Sequence, residues 1–380
     1  MRDAVIVDAV RTPVGKRNGA YKDTHPVDLS AHVLNSLVER TGIDPAVVDD
    51  VVWGCVSQVG EQGLNIGRNA VLAAGWPESV PGTTVDRQCG SSQQAIHFAA
   101  AGVLSGQYDV AVAGGVEVMT RVPMGSNLGK DVGFPFGPKM LKRYEGQQIN
   151  QGLGAEMIAE KWNLSRQQLD EFSLSSHEKA AKAIDAGAFT GQYAVVPGTG
   201  LETDEGVRRD TTVEKLSTLK PAFREDGVIH AGNSSQISDG SGALLIMTSE
   251  KARELGLKPL VRLSHFALAG DDPVIMLTAP IPATAKVLAK SGLSIKEIGA
   301  FEINEAFAPV PLAWLSETGA EVEKLNPVGG AIAIGHPLGG SGAVLMTRLV
   351  HHLVDNGIKY GLQSMCEGGG LANATILELL

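Results

Sequence analysis

The sequence predicts an α/β protein, and two patterns support this class. Apolar runs of strand length alternate with amphipathic stretches along most of the chain, which is typical of βαβ units around a largely buried, parallel or mixed sheet. Two parts of the chain also share a layout, because DPAVVDDVVWGCV matches SIKEIGAFEINEA and YDVAVAGGVEVM matches YGLQSMCEGGGL. We therefore expect one α/β unit to occur twice, with equivalent turns meeting at a pseudo-twofold axis.

The order of the elements gives the expected domain organisation. In the first half, strands and helices are predicted to alternate over residues 4–10, 28–40, 51–56, 66–74, 83–86, 91–105 and 110–114. Residues 117–150 carry many glycines and prolines and little periodicity, as in a long loop that covers a site or contacts another subunit. Two helices are predicted after this loop, over 155–162 and 165–186, with Ser165 as the N-cap of the second.

The alternation resumes over residues 243–247, 261–267, 283–290, 300–303, 306–317, 341–354, 360–365 and 374–379. These patterns predict an N-terminal half of residues 1–117, completed by about 241–258, and a C-terminal half of residues 259–380. Residues 118–240 are predicted to form an inserted loop domain.

Length, charge and cysteine content exclude several classes of protein. A chain of 380 residues exceeds the ~250–300 residues at which single cores stop growing, so more than one packed unit is expected. The net charge of -10 argues against a partner that is nucleic acid or an anionic membrane surface. No run approaches the ~20 apolar residues of a membrane helix, so no membrane insertion is expected. Three cysteines far apart in the chain suit a reducing compartment, and the expected location is cytoplasmic.

Cys89 stands where a predicted strand turns into a predicted helix, in VDRQCGSSQQAIHF. A helix N-terminus favours a negative charge, so this position is expected to lower the pKa of the thiol and to make Cys89 a nucleophile. The alternative is a small apolar core residue, which is the commoner state of a free cysteine. The stretch alone does not decide between them.

Other residues at predicted strand ends and turns have the chemistry to assist a thiol. His336, in GGAIAIGHPLGGSG, suits a general base held between glycines, or simply a histidine that caps a glycine turn. Cys366, in SMCEGGGLA, can act as an acid and base, and the N–H of Gly368 can serve an oxyanion hole; the alternative is an incidental cysteine in a glycine-rich turn. Asn304 either caps a helix or fixes a water or a carbonyl oxygen, with Glu305 expected to hold its amide.

The remaining cysteine, the histidines and the glycine patterns indicate no metal site and no resident cofactor. Cys55 is flanked by apolar strand residues and is interpreted as core. The histidines show no zinc-ligand spacing, and no G-x-G-x-x-G pattern opens a helix, so neither a metal site nor a dinucleotide fold is expected.

Taken together, the motifs resemble the thiolase family. The blocks VDRQCGSSQQAI, NEAFAPV, GGAIAIGHPLGGSGA and MCEGGG occur in the family's order and spacing, and the similarity runs from VIVDAVRTPVGK to the last strand. The resemblance implies the thiolase fold, a five-layered αβαβα arrangement of two repeated halves with an inserted loop domain, assembled as a homodimer or homotetramer. It also implies an acyltransferase that cleaves 3-oxoacyl-CoA with CoA to acetyl-CoA or propionyl-CoA and a shortened acyl-CoA, or that condenses two acyl-CoA molecules.

The resemblance also implies the role of each matched residue. His336 would activate Cys89, which would carry the acyl group as a thioester. Asn304 and His336 would hold the enolate of the leaving acyl-CoA, and Cys366 would protonate it and later deprotonate CoA. The N–H groups of Cys89 and Gly368 would bind the tetrahedral oxyanion. CoA enters as a co-substrate, and the residues expected to line its groove are Arg208, Ala222, Phe223, Ser235, Ile237 and Phe307, with Arg209 more typical of solvated surface.

The sequence departs from the short-chain acetoacetyl-CoA thiolases at one informative place. Those enzymes carry a His-Met pair before G-x-x-A-E, whereas this chain has Asn150 and Gln151 before GLGAE. The methionine that narrows their acyl pocket is therefore missing, which favours a degradative thiolase for longer or bulkier substrates. The segments DRQCGSSQQAI, SQISDG, MLTAPIPAT and MCEGGG are also similar in sequence to those of actinobacterial thiolases of steroid breakdown.

The sequence is also compatible with other functions. A short-chain thiolase working in the condensation direction has the same motifs. A papain-like protease requires the order Cys, His, Asn, whereas Asn304 precedes His336 here. A decarboxylating ketosynthase shares the fold but lacks the second thiol, and a non-catalytic CoA- or lipid-binding relative would not need Cys89.

Overall fold

The computed structural model of the protein describes residues 2–128 and 133–380, so residues 129–132 of the predicted loop lie outside the described part. Its strands, in chain order, are Val5–Arg11 (β1), Gly15–Lys16 (β2), Asp50–Gly54 (β3), Gly82–Val85 (β4), Val110–Val118 (β5), Ser238–Met247 (β6), Val261–Gly270 (β7), Ala300–Ile303 (β8), Tyr360–Glu367 (β9) and Leu371–Leu379 (β10).

The α-helices are Pro26–Thr41 (α1), Ile66–Ala73 (α2), Ser91–Ser105 (α3), Pro138–Arg143 (α4), Gln151–Lys161 (α5), Arg166–Asp185 (α6), Val213–Ser217 (α7), Ser249–Glu254 (α8), Pro280–Ser291 (α9), Pro309–Thr318 (α10), Ala331–Ile334 (α11) and Ser341–Asn356 (α12). In the residues that the structure describes, no helix is long and apolar enough to cross a membrane.

The strands repeat one arrangement twice. In the first half, β3 is parallel to β4 and β5, and β5, β6 and β1 follow as antiparallel neighbours. In the second half, β8 is parallel to β9, and β9, β10 and β7 are antiparallel. A single bridge between Phe301 and Leu325 lies beside β8, in the place that β4 has in the first half. The predicted duplication is confirmed, and the two half-sheets join where Val5 and Ile6 of β1 face β7.

Five layers follow from the way the helices cover this sheet. Successive strand residues point to opposite faces, so on β5 Val112 belongs to the apolar cluster under α1 and α2, whereas Ala111 belongs to the cluster under α3 and α12. Helix α12 packs on both halves, because its Met346 lies in one cluster with Leu244 of β6 and Leu377 of β10. On the far side, α9 and α10 cover β7, β9 and β10. The predicted αβαβα arrangement is confirmed.

Some element boundaries differ from the prediction. Strands β5 and β6 extend well beyond 110–114 and 243–247, because their ladder continues to the pair Val118–Asp239. The extended parts of both strands contain glycines, which are uncommon in strands, so the sequence pattern did not predict the extension. In the structure, the lack of a side chain at Gly115 leaves room for the turn at Gly339, because a Cβ at Gly115 would clash with the carbonyl oxygen of Gly339. The helix predicted over 306–317 begins only at Pro309 (α10). The division of the chain at 117/118, 240/241 and 258/259 remains a prediction.

A buried ion pair ties the segment between β5 and β6 to the first half-sheet. The side chains of Arg11 of β1 and Asp204 are both fully buried, and two hydrogen bonds of 2.7 and 3.0 Å join their charged groups. Arg11 also donates to Gln192, and its guanidinium lies 4.5 Å from the ring centre of Tyr193. Burial raises the pKa of Asp204, but the charge of Arg11 outweighs it and leaves the pKa below its ordinary value.

Removing one member of this pair should destabilise the protein strongly. In Asp204→Ala, Arg11 keeps a buried charge without its partner, so the free energy of unfolding should fall by about 3–5 kcal/mol. Urea unfolding at one fixed protein concentration and pH 7 measures it. The control Asp210→Asn removes an exposed pair with Lys215 and should leave the midpoint nearly unchanged. Equal midpoints for both variants would contradict this interpretation of the Arg11–Asp204 pair.

Candidate active site

Cys89 lies in a tight turn that its neighbours hold in place. Gln88 adopts the left-handed conformation with φ 49°, which turns the chain from β4 toward α3. The hydroxyl of Ser91 donates to the carbonyl oxygen of Gln88 and accepts from the N–H of Arg87, at 2.6 and 2.9 Å. The Cys89 side chain is 4% exposed and packs in one apolar cluster with Leu338. Cys89 is therefore a buried residue within this turn.

The expected lowering of the Cys89 pKa is wrong. Burial raises the pKa of this thiol well above its ordinary value, and the neighbouring Cys366 and Glu367 raise it further. Helix α3 begins at Ser91, with Gly90 as its N-cap, so Cys89 stands before the cap and desolvation outweighs any effect of the helix. The thiol is neutral at rest and needs a base to become a nucleophile.

His336 has the geometry of such a base. Its backbone N–H donates to Gln236 and to Ser238, which fixes the turn, and Nδ1 lies 2.6 Å from the hydroxyl oxygen of Ser341. That hydroxyl donates to the carbonyl oxygen of Pro337 at 2.9 Å, so the consistent assignment has Nδ1–H donating to Ser341. Nε2 then carries a lone pair, and it is buried without a hydrogen-bond partner among the described residues. Burial lowers the pKa of His336 to about 4, so the ring is neutral at pH 7.

Asn304 and Cys366 come together, as predicted. The Asn304 amide nitrogen lies 3.7 Å from the sulfur of Cys366, and both residues are buried. Burial raises the pKa of Cys366 to about 12, although the Asn304 amide and the N–H groups of Cys366 and Ala306 favour the thiolate. The other end of the amide, Oδ1, has no partner within the described residues and stays available to a bound group.

The sequence-based expectation for Glu305 is wrong. Its carboxylate does not hold the Asn304 amide; it accepts hydrogen bonds from Ser176, Asn326 and the N–H of Ile332, at 2.7, 2.8 and 3.1 Å. Glu305 thus joins β8 to α6 and α11, and it supports the loop that carries Asn304. Asn304 is held instead through its backbone N–H, which donates to the carbonyl oxygen of Ser364.

The two expected oxyanion donors have free N–H groups. In the part of the chain that the structure describes, the N–H of Cys89 and the N–H of Gly368 donate no hydrogen bond to another residue. Gly368 lies against the side chain of Gln88, beside the Cys89 turn. Cys55, the third cysteine, lies at 0% exposure in the core of the first half, in agreement with the sequence interpretation.

Two contacts near the thiol and the imidazole escaped the sequence analysis. The amide nitrogen of Gln151, the first residue of α5, lies 4.0 Å from the sulfur of Cys89. The Glu117 carboxylate accepts from the N–H groups of Val56 and Gly339, at 3.0 and 2.9 Å, and so ties the end of β3 to the His336 turn. A lone acidic residue in the apolar run AVAGGVEV was the only signal for Glu117.

The residues predicted for the CoA groove fall into two places. Phe223 packs on Gly152, next to Gln151, and its ring centre lies 5.9 Å from that of Phe307. The N–H of Ser235 donates to the carbonyl oxygen of Ala306, which places Ser235 at the same loop. Ala222 is exposed beside Phe223, and Ile237 is 38% exposed. Phe223 thus lies next to Gln151, whose amide nitrogen contacts the Cys89 sulfur.

Arg208 lies apart from the two phenylalanines. Its N–H donates to Nδ1 of His177 at 3.1 Å, and both residues line a cavity of about 380 Å³ that also includes Lys182 and Thr211. Arg209 borders the same cavity but forms an exposed pair with Asp185. Among the residues described by the structure, no group of three or more histidine, cysteine or acidic side chains is arranged to hold a metal ion.

Comparisons with known proteins match the whole chain to one family. The family model for the thiolase N-terminal domain matches residues 4–250, and the model for the thiolase C-terminal domain matches residues 257–379. Among curated proteins, the steroid 3-ketoacyl-CoA thiolase FadA6 of Mycobacterium tuberculosis is 50% identical over 100% of this chain and 95% of the relative. A 3-ketoacyl-CoA thiolase of Pseudoalteromonas translucida is 44% identical over 100% of this chain and 99% of that protein.

The structural comparison agrees with the fold described above. The crystal structure of the Bacillus anthracis acetyl-CoA acetyltransferase superposes with a TM-score of 0.91, at 40% identity, over 100% of this chain and 99% of that chain. The expected fold class is confirmed on this ground as well as by the layers and strand order.

The hydrogen bond between Ser341 and His336 should govern how readily Cys89 reacts. In Ser341→Ala, the ring loses the acceptor that fixes its tautomer, a contact with a net value of about 0.5–1.5 kcal/mol, so the alkylation rate should fall up to about tenfold. Iodoacetamide labelling at pH 7, followed at the Cys89 peptide by mass spectrometry, measures this rate. Ser341→Thr should restore it, and the exposed-site control Ser217→Ala should match the unaltered protein. If Ser341→Ala reacts as fast as that control, the hydroxyl does not position the base.

Proposed function

Since this chain belongs to the thiolase family, we propose that it is an acyltransferase that cleaves 3-oxoacyl-CoA with CoA through an acyl-Cys89 intermediate. The products are acetyl-CoA or propionyl-CoA and a shortened acyl-CoA. One observation carries the proposal: Gly90, next to the buried Cys89, contacts Glu367, next to the buried Cys366, and the imidazole of His336 has a free Nε2 in the turn whose Leu338 packs in one cluster with Cys89.

The first step transfers a proton within the site. His336 Nε2 takes the proton of the Cys89 thiol, and the thiolate attacks the 3-oxo carbon of the substrate. Forming the ion pair only at this moment suits a dry site, in which a permanent thiolate would be costly. The free N–H groups of Cys89 and Gly368 can stabilise the resulting oxyanion, and losing such a donor typically costs about 100-fold or more in rate.

The second step breaks the carbon–carbon bond. The electron pair of that bond moves onto the leaving acyl-CoA as an enolate, while the acyl group stays on Cys89 as a thioester. The enolate oxygen is held by protonated His336 and by a water that Asn304 orients through its unpartnered Oδ1. Cys366 gives its proton to the enolate carbon, which completes the first product and leaves a Cys366 thiolate.

The last steps restore the resting site. The Cys366 thiolate takes the proton of an incoming CoA thiol, and the CoA thiolate attacks the acyl-Cys89 thioester. The thioester collapses to shortened acyl-CoA, and the released Cys89 thiolate regains its proton from His336. The Asn304 amide, 3.7 Å from the sulfur, stabilises the negative charge each time Cys366 carries it.

CoA is a co-substrate in this proposal, and no resident cofactor is involved. Phe223 and Phe307, with Ser235, Ile237 and Ala222 beside them, form the wall along the pantetheine arm. Arg208 supplies positive charge for a CoA phosphate, at the edge of the cavity that it shares with His177. Such local charge is needed because the chain as a whole carries a net charge of -10.

The substrate we propose has a long or bulky acyl group, and the physiological direction is degradative. Gln151 occupies the position where the short-chain enzymes have methionine. It is the first residue of α5, directly after the irregular loop, and its amide nitrogen lies beside the Cys89 sulfur. The 50% identical relative is named a steroid 3-ketoacyl-CoA thiolase, which supports a steroid-derived acyl chain. The main alternative is a short-chain enzyme, since the 40% identical structural relative is an acetyl-CoA acetyltransferase.

We further propose a homodimer or homotetramer in the cytoplasm. Strand β4 lies at one end of the sheet order, so one edge of it is free within the described chain. The described residues near this face and in the inserted segment include exposed apolar side chains, among them Leu64 at 95%, Phe134 at 67% and Met124 at 60%. An exposed strand edge beside apolar side chains is suited to covering by a second subunit.

Cysteine variants test the proposed chemistry directly. Cys89→Ala should abolish the acyl-enzyme mass shift that appears after incubation with acetoacetyl-CoA, and it should abolish thiolysis. Cys366→Ala should lose nearly all turnover, because the variant lacks the thiol that is proposed to protonate the enolate carbon and then to deprotonate CoA. Cys55→Ala is the matched control, with turnover retained. If Cys366→Ala turned over normally, a decarboxylating ketosynthase would become the better interpretation; an unaffected Cys89→Ala would indicate a non-catalytic binding protein.

Acyl specificity is tested with a panel of substrates. CoA-dependent cleavage of 3-oxoacyl-CoAs of rising chain length, and of one with a ring-bearing acyl group, should show a higher kcat/KM for the long and ring-bearing members than for acetoacetyl-CoA. Gln151→Met should narrow the pocket and shift the preference toward acetoacetyl-CoA, whereas the exposed-site control Gln167→Met should not. Acetoacetyl-CoA as by far the best substrate would disprove the pocket argument.

A further inference from the structure

Glu367 is a buried acidic residue that the proposed reaction does not use. It follows Cys366 at the end of β9 and is 0% exposed. Its carboxylate presses against Gly90, the residue after Cys89, so closely that a Cβ on Gly90 would overlap an oxygen. Glu367 therefore spans the gap between the turn of one thiol and the strand of the other.

The carboxylate has little to stabilise a negative charge. Neither oxygen accepts a hydrogen bond of ordinary geometry from the residues described, although the N–H of Asn373 lies nearby. The positive charge of Arg87 lowers the pKa of Glu367, but the Nε of Arg87 is itself buried without a partner and makes no ion pair with Glu367 among the described residues. The geometry thus favours a protonated carboxyl group, and burial raises the pKa of Glu367 to about 8.

The charged and titratable groups around Glu367 come from two elements. The turn between β4 and α3 contributes Asp86, Arg87 and Cys89, and β9 contributes Cys366. From β10 comes Asn373, whose amide donates to the carbonyl oxygen of Gly90 at 3.0 Å. Asp86 opposes ionisation of Glu367, whereas Arg87 favours it.

We propose that Glu367 is a positioning residue for both thiols: in its neutral form it leaves Cys89 and Cys366 free to ionise, and after losing its proton it suppresses their ionisation. This inference rests on the proposed function, because it concerns the thiols of that reaction. The proton of Glu367 leaves to solvent as the pH rises and returns as it falls, so no co-reactant is involved. A negative carboxylate beside Cys89 then disfavours a second negative charge on the sulfur.

The pH dependence of Cys89 alkylation tests the inference. At pH 6.5, well below the pKa of about 8, Glu367 is largely neutral, and Glu367→Gln should react with iodoacetamide as fast as the unaltered protein. Above pH 8, the unaltered protein gains a negative charge that Glu367→Gln lacks, so at pH 9.5 the variant should react about three- to tenfold faster, equivalent to a pKa difference of up to about one unit. Coinciding profiles over pH 6.5–9.5 would overturn the inference.

Two further measurements keep the test decisive. Glu378→Gln alters a carboxylate of β10 that pairs with Arg262 and Lys359 away from the thiols, and its profile should follow the unaltered protein. If Glu367→Gln does not fold, Glu367→Met, which likewise cannot ionise, takes its place, and it should again react about three- to tenfold faster than the unaltered protein at pH 9.5. Equal rates at that pH contradict the inference.

The outcome can be separated from the fate of the proposed function. The acyl-enzyme mass shift at Cys89, measured in the unaltered protein at pH 6.5, reports the proposed reaction under conditions in which Glu367 is expected to be largely neutral. If the acyl-enzyme forms while the two alkylation profiles coincide, only the role of Glu367 is wrong. If no acyl-enzyme forms, the proposed function fails, and the alkylation profiles still report whether Glu367 controls the thiol.

Discussion

The close approach of α3 and α12 is the constraint on which the rest of the structure depends. Both helices lie between the two half-sheets, and the turns that carry Cys89 and His336 lead directly into them. Gly342 makes the approach possible, because a Cβ there would collide with the backbone of Gln93. A hydrogen bond of 2.9 Å from the N–H of Ala343 to the hydroxyl of Ser92 fixes the register between the helices. The duplicated fold thereby places a chemically different turn from each half at one point.

Burial then determines the chemistry that these turns can perform. The same desolvation raises the pKa of both thiols and lowers that of His336, so the resting site holds neutral groups although it contains residues for acid–base work. Neutral partners can exchange one proton without a lasting charge, and the substrate determines when the exchange occurs. The contacts that support the reactive groups are neutral as well. The hydroxyl of Ser341 orients the His336 ring, and the amide of Asn304 contacts the Cys366 sulfur, without adding a net charge to the site.

Local patterns in the sequence predict the fold and single out the main candidate site residues, whose catalytic roles stay a prediction. Strand and helix periodicity with the repeated layout predicted the α/β duplication, and four motif blocks indicated Cys89, Asn304, His336 and Cys366. Contacts across the fold leave no such pattern, so the hydrogen bond from the N–H of Gly339 to Glu117, 222 residues earlier in the chain, was missed. The predicted direction of the Cys89 pKa shift was wrong for a related reason. The start of a helix can be predicted from the local sequence, whereas the burial of the thiol depends on residues far away in the chain.

The buried, neutral state of the thiols also has a consequence for chemical durability. Peroxide and other oxidants attack the thiolate rather than the thiol, so a protein that keeps Cys89 and Cys366 protonated between turnovers presents little for them to attack. Desolvation thus protects the idle protein from damage, and vulnerability is confined to the short intervals in which one sulfur carries a negative charge.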